Sequence, residues 1–154
     1  MTPEPEAAGL KRLLVATDFS SGSEQAWLVA RQLAGQLGAE IVLLHVLVEV
    51  PLFSEGPFTM KHTREVFEAA QAWVEKMLGG WVATAAAAGL RARWIVCTGV
   101  PHKEIVAAAA REKADVIVLG TQGRGGLDRA LLGSVADRVI RLAPCPVLTV
   151  RETD

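Results

Sequence analysis

The chain has 154 residues, 51% of them hydrophobic and 21% charged, which is enough for one domain with its own core and an ordinary globular balance. A formal net charge of −1, with no block of like charges, argues against a nucleic acid or an anionic membrane held by a basic patch. The longest apolar run, Ile41 to Val48, is broken by His45 and falls well short of the ~18 residues of a membrane span.

The start, MTPEPEAAG, is acidic and carries prolines, unlike a secretory signal. Residues 1–9 read as a loose tail and 10–154 as a single domain, with the cytoplasm as the expected location. Leu13 to Ala16 is strand one, ending at Thr17 and Asp18. Ser21 with Glu24 offers a capping box, and Ala26, Ala30, Leu33, Ala34 and Leu37 follow at helical spacing up to Gly38. Ile41 to Val46 is a continuous apolar strand, as expected when both faces of a parallel sheet are covered. Leu47 to Met60 has no clear period and reads as a long loop, a lid or a partner surface. Val66, Ala70, Trp73, Met77 and Trp81 then mark a second helix with a core stripe, which Gly79 and Gly80 should weaken or bend.

Arg91 to Cys97 reads as strand three, and Pro101 suits the first turn of a third helix with Ile105, Val106, Ala109 and Ala110 facing inward. Val116 to Leu119 is strand four. Ser134 and Asp137 form a second capping-box pattern, opening a helix that runs through Leu142 and stops at Pro144. Pro146 to Val150 is strand five. Cys97 and Cys145, in or beside strands, read as small buried hydrophobes in a reducing compartment. No CxxC or Cys/His cluster suggests zinc. Strict alternation of strand and helix predicts an α/β fold, an open parallel sheet with helices on both faces. Ligands of such sheets sit beyond the carboxyl ends of the strands, where the strand order reverses.

Strand four opens into Gly120, Gly123, Gly125 and Gly126, and then Gly133-Ser134 starts a helix. Glycines let backbone N–H groups approach an anion, and a helix start adds unpaired donors and a positive dipole end. The segment therefore suggests a phosphate cradle; a plain surface loop is the rival reading. Asp18 suits two ribose hydroxyls, although a turn or capping role competes, and it would repel phosphate unless a magnesium ion stood between. Arg124 and Arg129 either reach phosphates or stay solvated. His45 reads as structural, His62 and His102 as surface residues.

Gly120, Gly123, Gly133 and Ser134 fit the spacing G-x2-G-x9-G-[S/T], which resembles the nucleotide-binding motif of the ATP-binding branch of the universal stress protein family. Leu14 to Ser20 (LVATDFS), Leu43-Leu44-His45-Val46, Gly99-Val-Pro101 and the segment from Ala143 to Leu148 are similar to further family segments in the same order. The resemblance implies a Rossmann-like five-stranded sheet of order 3-2-1-4-5, placing strands one and four side by side. It implies that Asp18 bonds the ribose, that the backbone of Val46 meets the adenine edge and that Gly120 lies against the ribose. Gly123, Gly133 and Ser134 would hold the phosphates with help from the Val135 N–H, Arg124 is a further phosphate candidate, and Ala16, Thr17 and Leu119 complete the set at the strand ends. Ala16 stands where many relatives carry proline or valine. The implied ligand is ATP, with Mg2+ bridged by the phosphates, and the implied assembly is a homodimer through strand 146–150, an edge that no following helix covers.

Three functions follow. A regulatory stress-response protein would use ATP to change conformation or the choice of an unknown protein partner. A slow ATPase or phosphotransferase would need charge neutralisation at the γ-phosphate, yet the chain lacks GxxxxGK[ST] and the kinase motifs. An interaction module would leave the site empty or fill it with another adenine ligand. The first is preferred because the cradle lacks an evident catalytic base.

Overall fold

Among residues 9–48, 57–122 and 131–153, which the computed structural model describes, strands and helices alternate throughout. The elements are β1 (Arg12–Ala16), α1 (Ser21–Leu37), β2 (Glu40–Leu47), α2 (Pro57–Ala87), β3 (Ala92–Thr98), α3 (Pro101–Arg111), β4 (Val116–Gly120), α4 (Ser134–Leu142) and β5 (Val147–Val150). The strands form one sheet of order β3-β2-β1-β4-β5, and every pairing is parallel. The expected architecture and strand order are those observed.

Period-two alternation sorts the strand residues between two cores. Leu13, Val15, Ile41, Leu43, Val116 and Val118 face α1 and α2, where they meet Ala26, Ala30, Ala34, Val74, Leu78 and Ala85. Leu14, Val42, Leu44, Ile117 and Leu119 face α3 and α4, meeting Ile105, Ala108, Ala109, Ala136 and Val139. The fully buried Leu13, Leu14, Ile41, Leu43, Leu44 and Ile117 each add about 1.5–3 kcal/mol of transfer free energy. Alanines four apart on α1 present a flat seam, so that helix lies close against the sheet. Its last turn ends at Gly38, whose left-handed φ of 66° closes the C-cap.

The structure corrects several expectations. The N-cap of α1 is Ser20, whose side chain accepts from the Ser23 amide; Ser21 is already helical and bonds Glu152 instead. Helix α2 begins at Pro57 and Leu47 belongs to β2, so the expected loop from Leu47 to Met60 is much shorter, and residues 49–56 of it lie outside the described residues. The tail, residues 1–8, lies outside them as well. Helix α2 runs through Gly79 and Gly80 to Ala87. Its buried face is Val74, Leu78 and Ala85, flanked by Phe67, Trp81 and Val82, whereas Val66 and Trp73 are half exposed at 55% and 49%. The expected stripe is thus rotated about the helix axis. His102 is buried on α3, not at the surface. Cys97 and Cys145 are free and partly buried.

Candidate functional site

Because all five strands run the same way, their carboxyl ends share one edge of the sheet. β1 and β4 are direct neighbours in register (Leu13 with Val116, Leu14 with Ile117, Val15 with Val118). The order therefore reverses between them, and a cavity of about 400 Å³ opens at that point. Its size lies within the ~300–1,000 Å³ typical of small-molecule sites.

Ala16, Thr17 and Asp18 wall the cavity from the end of β1, Leu119 and Gly120 from the end of β4. Val46 comes from β2 and Val135 from α4. Residues that sequence reasoning did not assign to the site also line it: Ser23, Leu47, Val48, Pro101, Ile105 and Gln122. Pro101 and Ile105 carried a usable signal, since the helix they open faces the same edge. Gln122 carried none; its side-chain amide donates to the Leu131 carbonyl at 2.9 Å, drawing together two parts of the chain nine positions apart.

The β1–α1 turn is the most tightly tied part of the wall. The Thr17 amide donates to the Leu44 carbonyl at 2.9 Å, and its hydroxyl meets that of Ser23 at 2.9 Å in a buried contact. Asp18 Oδ1 accepts from the Ser20 amide at 3.0 Å and from the Ser20 hydroxyl, closing an Asx turn. Asp18 thus has the turn role, and it also lines the cavity. Beside it His45 Nδ1 donates to the Thr17 carbonyl at 2.7 Å.

Gly120 has a packing reason of its own. A Cβ there would lie 3.0 Å from the carbonyl carbon of Gly22, 3.1 Å from its oxygen and 3.3 Å from the Ser23 nitrogen. All three are backbone atoms at the start of α1, so the helix can approach β4 this closely only because Gly120 lacks a side chain. Gly22 was not singled out in the sequence; its own added Cβ would lie 3.2 Å from the Gln122 carbonyl.

Gly133 is the N-cap of α4, and among the described residues no side chain caps that helix. Ser134 is the first helical residue rather than the cap, and its side chain is exposed. The Gly133 amide donates to the Thr121 carbonyl at 2.6 Å, which ties the start of α4 to the end of β4. Gly133 and Ser134 stand next to Val135 but do not line the cavity. Gly123, Arg124 and Arg129 lie outside the described residues. The first-turn amides of α4 are donors at a positive dipole end, suited to an anion. Among the described residues, no three His, Cys, Asp or Glu side chains gather to hold a metal ion. None of the helices described is long and apolar enough to cross a membrane.

Comparison with known proteins bears on this arrangement. Residues 9–151 match the model of the universal stress protein family. The universal stress protein MJ0531 of Methanocaldococcus jannaschii is 37% identical over 147 residues, covering 92% of this chain and 82% of its own. The solved structure of the hypothetical protein MJ0577 from the same organism superimposes with a TM-score of 0.77 at 31% identity, over 94% of this chain and 98% of that one. A universal stress protein solved in complex with cAMP superimposes with a TM-score of 0.69 at 25% identity, over 94% and 98% of the two chains.

Proposed function

The chain belongs to the universal stress protein family, and from that premise we propose that it is a regulatory protein that binds an adenine nucleotide, ATP in the first place. The observation that carries the reading is the cavity at the order reversal, lined both by Asp18 and, through Val135, by the first turn of α4, whose N-cap is a glycine. A nucleotide needs both: an acceptor for ribose hydroxyls and donors for phosphate. Apolar walls from Val46, Leu47 and Ile105 suit a base between them. The known cAMP complex of a family member supports the ligand class.

In this reading Asp18 takes the ribose hydroxyls, the Val46 backbone takes the adenine edge, and Ala16, Thr17, Leu119 and Gly120 form the floor. Gly123, Arg124, Gly133, Ser134 and the Val135 N–H take the phosphates. Bound Mg2+ would be held by the phosphates and would neutralise their charge beside Asp18. The role is binding rather than turnover. Among the described residues the titratable side chains that wall the cavity are those of Asp18 and His45, and both take part in hydrogen bonds that build the turn. Occupancy would act through conformation or partner choice. A cytoplasmic setting agrees with the free thiols of Cys97 and Cys145. A homodimer through β5 is part of the proposal: Leu148 is 36% exposed on this edge strand, and light scattering should return twice the monomer mass.

The test is thermal unfolding with Mg-ATP, ADP, AMP and GTP, with Gly123→Val as control. At about 100 times the dissociation constant a ligand adds about 2.7 kcal/mol, a rise of roughly 5 to 10 °C for a domain of this size. An ATP-selective rise that is lost in Gly123→Val supports the proposal. No rise with any adenine nucleotide overturns it.

A further inference from the structure

Asp18 sits between two peptide groups, and each is held by a different side chain. The carbonyl of the Thr17–Asp18 peptide accepts from His45 Nδ1 at 2.7 Å. The N–H of the Asp18–Phe19 peptide donates to Thr17 Oγ1 at 3.0 Å. With both planes held, the φ and ψ of Asp18 are held, and so is the Cα–Cβ direction from which its carboxylate extends; Ser20 then grips Oδ1.

The next residue is unusual. Phe19 has φ 62°, in the left-handed region that bulky residues rarely adopt. Such a backbone persists where its surroundings over-determine it. Here the surroundings are aromatic. The Phe19 ring lies 4.9 Å from His45, and Trp73 and Trp81 meet it edge-on at 5.2 and 5.5 Å. His45 therefore does two things, holding the carbonyl before Asp18 and packing on the ring after it.

We propose that His45 and Phe19 are positioning residues that aim the Asp18 carboxylate at the ribose of a bound nucleotide, an inference that rests on the nucleotide reading above. They act through Asp18, so they should govern how well the protein tells a ribose with hydroxyls from one without. They should affect how well it holds the base and the phosphates much less.

The experiment is calorimetric titration of the full chain with Mg-ATP and with Mg-2′,3′-dideoxy-ATP. Wild type should prefer ATP about tenfold or more, the worth of hydrogen bonds to a charged acceptor. Asp18→Ala should remove the preference. His45→Ala and Phe19→Ala should shrink it to about threefold or less, costing ATP more affinity than the dideoxy analogue. His45→Asn, with an amide N–H near the Nδ1 position, should restore it. Combining His45→Ala with Asp18→Ala should cost no more than Asp18→Ala alone. Phe19→Gly, free of backbone strain, covers the case in which Phe19→Ala does not fold, and should also lose the preference. Full discrimination retained in His45→Ala or Phe19→Gly, or equal loss of both ligands, overturns the positioning role. Wild type that binds neither ligand overturns the nucleotide reading itself, and wild type that binds both equally overturns the assignment of Asp18 to ribose.

Discussion

Ser20 and Ser21 are adjacent and identical, yet only one starts the helix. Ser20 is extended, with φ −71° and ψ 160°, and its hydroxyl takes the Ser23 amide. A side-chain N-cap is worth about 1 kcal/mol, and an exposed side-chain contact such as that between Ser21 and Glu152 is worth little. Ser20→Ala should therefore lower unfolding stability by about 1 kcal/mol, while Ser21→Ala leaves the urea midpoint nearly unchanged. The sequence favours Ser21 because Glu24 follows at capping-box spacing. What selects Ser20 is Asp18, whose carboxylate grips both the Ser20 amide and its hydroxyl. That grip is a side-chain geometry with no signature in spacing. Gly120 carries the same lesson in reverse. It is easy to notice because it follows a strand, but its packing partner is the backbone of Gly22, almost a hundred positions away and unremarkable in sequence.

At the scale of elements, the strands were legible because each is a short apolar run with turn residues at its end, and burial on both faces leaves few other readings. Helix α2 is less legible. Its apolar residues surround the axis, so spacing alone does not choose among the possible faces. The sheet chooses, burying Val74, Leu78 and Ala85 and leaving Trp73 half exposed. The glycine pair fails to interrupt α2 because it lies between buried anchors, Leu78 before and Ala85 after. Gly80 meets nothing within 4 Å of an added Cβ and has no positive φ. Gly80→Ala should accordingly stabilise the protein by roughly 0.5–1 kcal/mol, read as a higher urea midpoint with unchanged slope. The uncapped start of α4 stands apart from α1, which has its serine. Ser134 looked like a cap in the sequence because its spacing to Asp137 is right, but Asp137 lies within reach of Arg141 at 3.3 Å instead.

Across the whole molecule, the two ends of the sheet are built differently. The carboxyl end holds the cavity. The amino end is locked by charge. Glu40 on β2 meets Arg12 on β1 at 3.2 Å and Arg93 on β3 at 2.9 Å, and Arg93 reaches Glu112 at the end of α3 at 2.7 Å. Asp115 accepts from the amides of Lys11 and Arg12. None of this could be read from sequence, because the partners lie up to 104 positions apart, as Lys11 and Asp115 do. Partial burial pushes the Glu40 carboxyl up, but hydrogen bonds from Arg93 and Arg12 outweigh it and hold the group below its ordinary value of 4.5. A carboxyl depressed on folding stabilises the folded state fully above its unfolded value, and the contribution is lost as pH falls through its folded value. Stability should therefore drop as pH falls below about 4.5, and Glu40→Gln should flatten that limb while lowering stability at neutral pH. Urea midpoints measured across this range for both proteins check the sign.

The aromatic residues around Phe19 have one more consequence. Trp27 stacks on Trp81 at 5.8 Å, and Trp81 and Trp73 both touch Phe19. Three of the four tryptophans thus form a chain from the buried interior to a half-exposed indole, passing the turn that holds Asp18. The intrinsic emission of the unlabelled protein is therefore a spectroscopic window on that turn: a colour shift or quench follows when the turn moves, with no dye to disturb it.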